Sequence, residues 1–451
     1  MARKKTVFMA TINASSRVLT GWNPEDPDAW DSKIAWRTLI ITTYSLFIGF
    51  ATWYLVSAIA PQLNQIGFHF SKPQLYWLSS ASGLAAGFSR LAFMFLPPIV
   101  GTRKMVTVSS FVLALPMVGW FFAVINPATP YWWMLVLSVA GGLGGGVFSG
   151  YMPSTGYFFP KSKAGTALGL QAGIGNFGVS FIQLVAPLLM GVSLLGVRAQ
   201  PQLRIDGSEV FVHTPAIFMV PWTILAGVLA WLYLKDVPIK ANFRQQMDIF
   251  GNSNTWIMTL IYLATFGAFS GFAAQFALLV NNIYGANSSL AATFEASELP
   301  KGAAFAFLGP LISAAIRAAW GPLCDRFGGA IWTFISCAGM SISTAVAALF
   351  LNPTDPSQFW YFLAAMLTMF FFTGLGNAGT FKQMPMIFPR RQAGGVIGWT
   401  AAIAAFGPFF VGVIVSSFGA PAFFWGCVVF FALCAALTWI FYARPRAPFA
   451  G

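Results

Sequence analysis

The sequence predicts an all-α integral membrane protein, with twelve transmembrane helices in two six-helix bundles and both termini in the cytoplasm. Three observations predict it. Of 451 residues, 57% are hydrophobic and only 8% charged, whereas a soluble domain is about a quarter charged. Basic residues outside the apolar stretches divide eighteen to four between alternate loops, the asymmetry that orients a chain in a bilayer. The chain also repeats itself. GLGGGVFSGYMP at 142–153 returns as GLGNAGTFKQMP at 374–385, and FFPKSKAGTALG at 158–169 returns as IFPRRQAGGVIG at 387–398.

A spanning helix needs about 20 apolar residues. The apolar stretches place crossings at 36–60, 74–97, 105–125, 131–155, 164–191, 214–234, 256–280, 302–323, 330–351, 358–382, 394–416 and 421–442. The first 35 residues start basic but lack an apolar core ending in a cleavage site, so they are expected to remain as a cytoplasmic segment. The bundles are then 36–234 and 256–442, joined by a polar cytoplasmic linker at 235–255 and followed by a short tail at 443–451. Each repeat holds an even number of spans, so the bundles are parallel copies about an axis normal to the membrane.

The formal charge of +13 is accounted for by this orientation signal and by contact with anionic lipid, and calls for no nucleic-acid partner. The four cysteines show no metal-ligand spacing, and no cofactor or metal is expected. The spans offer no acid–base pair or nucleophile constellation, which argues against an enzyme.

Two repeated bundles suit alternating access, in which the halves rock about a midplane site. Gly165, Gly169 and Gly173, four apart in the fifth span, with Gly175 and Gly178 nearby, are candidates for a close and moving helix contact. Beyond Arg37 at the start of the first span, only three charged residues fall within the spans: Arg90, Arg317 and Lys382. Arg90 precedes Gly101 by the same interval as Arg317 precedes Gly328, so the repeat relates the two arginines and should face them across the pseudo-axis. All twelve acidic residues lie in termini, loops or helix ends.

An arginine at a helix centre costs about 2.5–3.5 kcal/mol on insertion scales, and two close together also repel. A single such arginine is readily explained by snorkelling or by bonds to backbone carbonyls. A symmetry-related pair without a carboxylate points to a polar cavity whose missing partner is an anion. The planar guanidinium fork suits a small planar oxyanion. Lys382, near the cytoplasmic end of the tenth span, can reach water and fits an interface anchor or the anion's way in. Asn176 is a candidate because a buried amide must find partners. Tyr262 and Phe266, one turn apart, and Phe148 are candidate walls, although with 47 Phe in the chain core packing is the ordinary role for any one ring.

These motifs resemble the nitrate/nitrite porter family of the major facilitator superfamily, and the resemblance runs from PEDPDAWDSK onward. It rests on GTALGLQAGIGNFGVSFIQLVAP at 165–187, GYMPSTGYFFPKSK, WIMTLIYLATFGAFSGFAAQFA, and an arginine followed eight residues later by the Asp-Arg of CDRFGG. The resemblance implies a major facilitator fold in the bacterial inner membrane, moving nitrate and nitrite. It places the family's two arginines on Arg90 and Arg317, its signature asparagine on Asn176, its tyrosine on Tyr262 and its two sandwiching aromatics on Phe148 and Phe266. The second signature departs from the pattern: GWTAAIAAFGPFF at 398–410 has Ala404 and Pro408 where glycine is usual. Gly407 and Pro408 become candidates for a gating kink.

Exchange of nitrate against nitrite is the expected mode, by a monomer, because an empty cavity with two unpaired cations should resist occlusion. Proton-coupled symport is the alternative. A carrier of a larger organic anion and a non-transporting anion sensor are the rival classes.

Overall fold

Prolines and glycines punctuating the apolar stretches decide where each helix bends and stops. The computed structural model describes residues 17–193, 200–238 and 247–449 and is helical almost throughout. The first half comprises α1 (Ser32–Leu63), α2 (Lys72–Phe93), α3 (Leu96–Val100), α4 (Thr102–Val112), α5 (Ala114–Ile125), α6 (Tyr131–Gly146), α7 (Phe148–Gly156), α8 (Lys161–Leu189) and α9 (Thr214–Tyr233). The second comprises α10 (Ser253–Tyr262), a π-helical turn (Leu263–Gly267), α11 (Ala268–Ile283), α12 (Gly302–Phe305), α13 (Leu308–Phe327), α14 (Gly329–Ala348), α15 (Phe359–Ile387), α16 (Arg390–Ala404) and α17 (Gly407–Thr438). A small hairpin of β1 (Gln202–Leu203) and β2 (Glu209–Val210) pairs Gln202 with Val210 between α8 and α9.

Several expected spans come in two pieces, and proline accounts for three of the breaks. Proline has no N–H for the carbonyl four residues back. Pro116 thereby ends α4 at Val112, Pro310 separates α12 from α13, and Pro408 separates α16 from α17. The kink expected at Pro408 is therefore present as a break at Ala405–Phe406. The seventh expected span is interrupted instead by the π turn that carries Phe266; such bulges re-aim side chains and recur at functional sites.

Ten helices among the described residues are long and apolar enough to cross a membrane. Helix α2 is not among them, although it has 22 residues and a capping box of Ser71 with Gln74. Ser79, Ser80, Ser82, Ser89 and Arg90 make it too polar. The last two expected spans run together as one apolar stretch over Gln392–Ala443, bent at Gly419, whose φ of 82° and ψ of 162° are not helical. The architecture is thus all-α and multi-pass.

Within the first half α1 packs on α6, α8 and α9, and α2 on α6; within the second, α15 packs on α13 and α14, and α17 on α11 and α14. Between the halves α2 lies against α16 and α17, α8 against α13, and α1 against α11. The α2 contact depends on Gly83 and Gly87, one turn apart: Pro408 and the ring of Phe406 fill the space their side chains would need. Gly407 likewise lets α17 approach the backbone of Gly267.

The glycines of α8 divide differently from the sequence expectation. Gly175 presses on Leu46 and Gly178 on the Phe47 backbone, both in α1, so the tight contacts lie inside the first half. Gly173 meets Ala318 of α13 at 3.4 Å, and Gly169 has nothing within 4 Å. The surroundings of Gly165 lie outside the described residues. Among the described glycines of α8, the tight contacts with α1 fall at Gly175 and Gly178, and the contact with α13 of the other half falls at Gly173.

Candidate functional site

Arg90 is fully buried near the end of α2. Its Nε donates to the carbonyl of Gly145 at 2.8 Å and its Nη1 to that of Ala401 at 2.7 Å, while Nη2 has no partner. Gly145 belongs to α6 and Ala401 to α16, so one guanidinium ties the halves together. Four rings complete its surroundings, with Cζ 4.8 Å from the centroid of Phe148, 5.0 Å from Phe266, 5.8 Å from Trp53 and 5.9 Å from Phe50. Cation–π contact is worth about 2 kcal/mol when desolvated, which helps explain how the cation is tolerated without a carboxylate.

Arg317 on α13 is 7% exposed and far less satisfied. Its Cζ lies 4.6 Å over Phe381 of α15, and both Nη1 and Nη2 lack hydrogen-bond partners. It is within electrostatic range of Arg90, and Tyr262 is within range of both. The buried Tyr262 hydroxyl makes no hydrogen bond of standard geometry, although it approaches Arg317. Unpartnered donors from both halves therefore converge on one place.

Aromatic rings bound it. Tyr262 stacks on Phe266 at 5.5 Å and 13°, and Phe148 faces Phe266 at 6.4 Å and 34°. Phe381 closes the ring, 5.4 Å from Tyr262 and 6.3 Å from Phe148. The Phe148–Phe266 separation and the two Arg90 distances form a triangle that puts Cζ roughly 3.7 Å from the midpoint between the rings.

Arg90, Arg317, Tyr262, Phe148 and Phe266 are thus brought together. Asn176 is buried on α8 with Oδ1 unpartnered, three residues beyond the glycine that touches Ala318. Lys382 is half-buried and follows Phe381 directly. Sequence reasoning missed Phe381, Phe50 and Trp53, and passed over the buried Asn377. Phe381 and Asn377 sit in the repeated GLGNAGTFKQMP text, and the buried-amide argument made for Asn176 applies equally to Asn377.

Hydrogen bonds between the halves gather beyond the site, toward the end bearing the 64–71 and 284–301 loops. Tyr54 donates to the Ser270 carbonyl at 2.9 Å, and Gln183, which also donates to Ser57 of its own half at 2.9 Å, donates to the Ala273 carbonyl at 2.7 Å. Gln275 reaches the Tyr76 carbonyl at 3.3 Å and Ser80 at 3.4 Å, and Ser80 donates to the Pro408 carbonyl at 3.4 Å. Gly412 leaves the room that Gln275 and Ser80 occupy.

The model of the Major Facilitator Superfamily matches residues 42–404. The "Probable nitrate/nitrite antiporter NarK2" of Thermus thermophilus is 50% identical over 445 residues, covering 96% of this chain and 98% of that protein. The chain belongs to the nitrate/nitrite porter family of the major facilitator superfamily. The "Nitrate/nitrite transporter NarU" of Salmonella typhimurium is 33% identical over 96% of this chain and 98% of its own length. Among solved structures, a bacterial homolog of the human lysosomal transporter Spinster, in an inward-facing and unoccupied conformation, superposes with a TM-score of 0.61. At 15% identity, over 90% of this porter and 97% of that chain, it shares the fold alone. The porter is a multi-pass protein of the inner membrane.

Proposed function

We propose that this porter carries nitrate and nitrite by alternating access, exchanging one for the other at a site shared by Arg90 and Arg317. The observation that carries the reading is the cluster of unpartnered buried donors, Nη2 of Arg90 with Nη1 and Nη2 of Arg317, and no carboxylate bonded to either arginine among the described residues. A small anion supplies the missing acceptors. Twelve crossings with cytoplasmic termini follow if α2 and the two arms around Gly419 each span the membrane. The units are then a cytoplasmic segment at 1–35, bundles at 36–234 and 256–442, a linker at 235–255 and a tail at 443–451, acting as a monomer.

Size selection comes from the rings. Two van der Waals contacts of about 3.5 Å give a slot of about 7 Å for a planar ion between parallel rings; Phe148 and Phe266 stand 6.4 Å apart at 34°, so a flat ion enters as the rings part and turn toward parallel. A tetrahedral anion, or one carrying a methyl group, is thicker and is excluded. In the cycle the anion binds the Arg317 fork and the free Arg90 nitrogen, Tyr262 and Asn176 donate to it, and closure follows. Opening toward the far end requires the Tyr54, Gln183 and Gln275 bonds to part. Gly173, Gly407 and Pro408 lie where the halves slide, and Lys382 draws anions in from the cytoplasm.

Equilibrium binding in detergent, with nitrate, nitrite, phosphate and acetate in competition, tests the substrate class. Nitrate and nitrite are expected to displace one another at a single site, with phosphate and acetate at least about 100-fold weaker, a difference of about 2.7 kcal/mol. Preference for phosphate or a carboxylate would replace this reading with the larger-anion carrier.

A further inference from the structure

Asn377 is completely buried, and neither its Nδ2 nor its Oδ1 has a hydrogen-bond partner. Burying an amide with both ends unmet is costly, so the position calls for a ligand. Its placement is fixed from both sides along α15. Gly374 is seated on Ser313 and Ile316 of α13, just before Arg317, and the Phe381 ring lies under the Arg317 guanidinium. On a helix of 3.6 residues per turn, Gly374, Asn377 and Phe381 fall within a sector of roughly 60°. Asn377 therefore stands on the face turned to α13, between the contact at Ser313–Ile316 and the ring beneath Arg317.

We infer that Asn377 is a specificity-determining residue whose amide donates to the third oxygen of nitrate; the inference rests on the anion site proposed above. Donor and acceptor numbers give the reason. Nitrite presents two oxygens, which the Arg317 fork, Arg90 Nη2, the Tyr262 hydroxyl and the Asn176 amide serve in the proposed site. Nitrate adds a third oxygen, and the buried Nδ2 of Asn377, which has no partner in the protein, is a further donor for it. Loss of that donor should weaken nitrate and spare nitrite.

The test is equilibrium binding of each anion to the intact porter carrying N377A, N377S or N377D, with R317K in parallel. N377A is expected to weaken nitrate about 10-fold while nitrite changes less than about 2-fold, and N377S, which keeps a donor, to recover part of the nitrate affinity. N377D places a carboxylate beside Arg317 and is expected to weaken both anions about 100-fold. Unchanged affinities in N377A, or equal losses for both anions in N377A and N377S, overturn the inference, equal losses being the mark of a packing role. Should N377A not fold, N377S decides by the same ratio. R317K keeps the two failures apart: wild-type affinity there defeats the anion site itself, whereas a loss in R317K with an unshifted ratio in the Asn377 variants defeats only this assignment.

Discussion

Arg317→Lys is expected to weaken nitrate binding about 100-fold or more, and Arg90→Lys about 10-fold or more, in purified protein that retains its thermal midpoint. Lysine keeps the charge but replaces the planar fork by a single point donor. Charge-assisted hydrogen bonds contribute about 1.5–3 kcal/mol each, and about 2.7 kcal/mol corresponds to a 100-fold loss. The inequality comes from the different surroundings of the two groups. Arg317 has both terminal nitrogens free, so the anion depends on its fork. Arg90 has already given Nε to Gly145 and Nη1 to Ala401, which leaves one prong for the ligand. Titration of both variants with nitrate checks this, and near-normal affinity in both would remove the pocket assignment.

Vesicles preloaded with nitrite are expected to take up external nitrate at least about 10-fold faster than empty vesicles. Two cations in a dry site repel with an energy that an anion between them cancels, and the penalty for an unpaired charge within the membrane is several kcal/mol. The loaded site should therefore occlude and reorient readily, and the empty one slowly. If the halves rock as proposed, each crossing also breaks the Arg90 bond to Ala401, and a bound anion would offer the guanidinium an alternative acceptor. Flux measured with the trans anion and the pH gradient varied independently settles the mode. Equal rates with and without internal nitrite, driven by external acid, would establish proton symport instead.

Much of this was legible in the chain. The repeat and the two arginines predict a site between related halves, and Arg90 and Arg317 do come within range of each other with Tyr262. The break at Pro408 follows from proline chemistry alone. Other features were hidden for physical reasons. Helix α2 carries the serines and glycines that line a helix contact, so apolarity understates it. Gly83 and Gly87 gain their meaning only from Phe406 and Pro408, which lie more than 300 residues away. The spacing of Gly165, Gly169 and Gly173 did not show that the tightest contacts of α8 with α1 fall at Gly175 and Gly178. Phe381 was lost among 47 phenylalanines, and only the guanidinium above it singles it out.

The π turn at Leu263–Gly267 was equally invisible, since periodicity does not register a one-residue bulge. It has a consequence for the site, because it carries Phe266 while α10 delivers Tyr262, and the two rings stack at 13°. A regular helix would change that angle and with it the slot beside Phe148.

A structure of the porter with nitrate bound tests the shared-anion site most directly. The expected result is one planar density between Phe148 and Phe266, within hydrogen-bond reach of Arg90 Nη2 and of both terminal nitrogens of Arg317. Nitrate found elsewhere, or separate ions on the two arginines with no group bridging them, would contradict it.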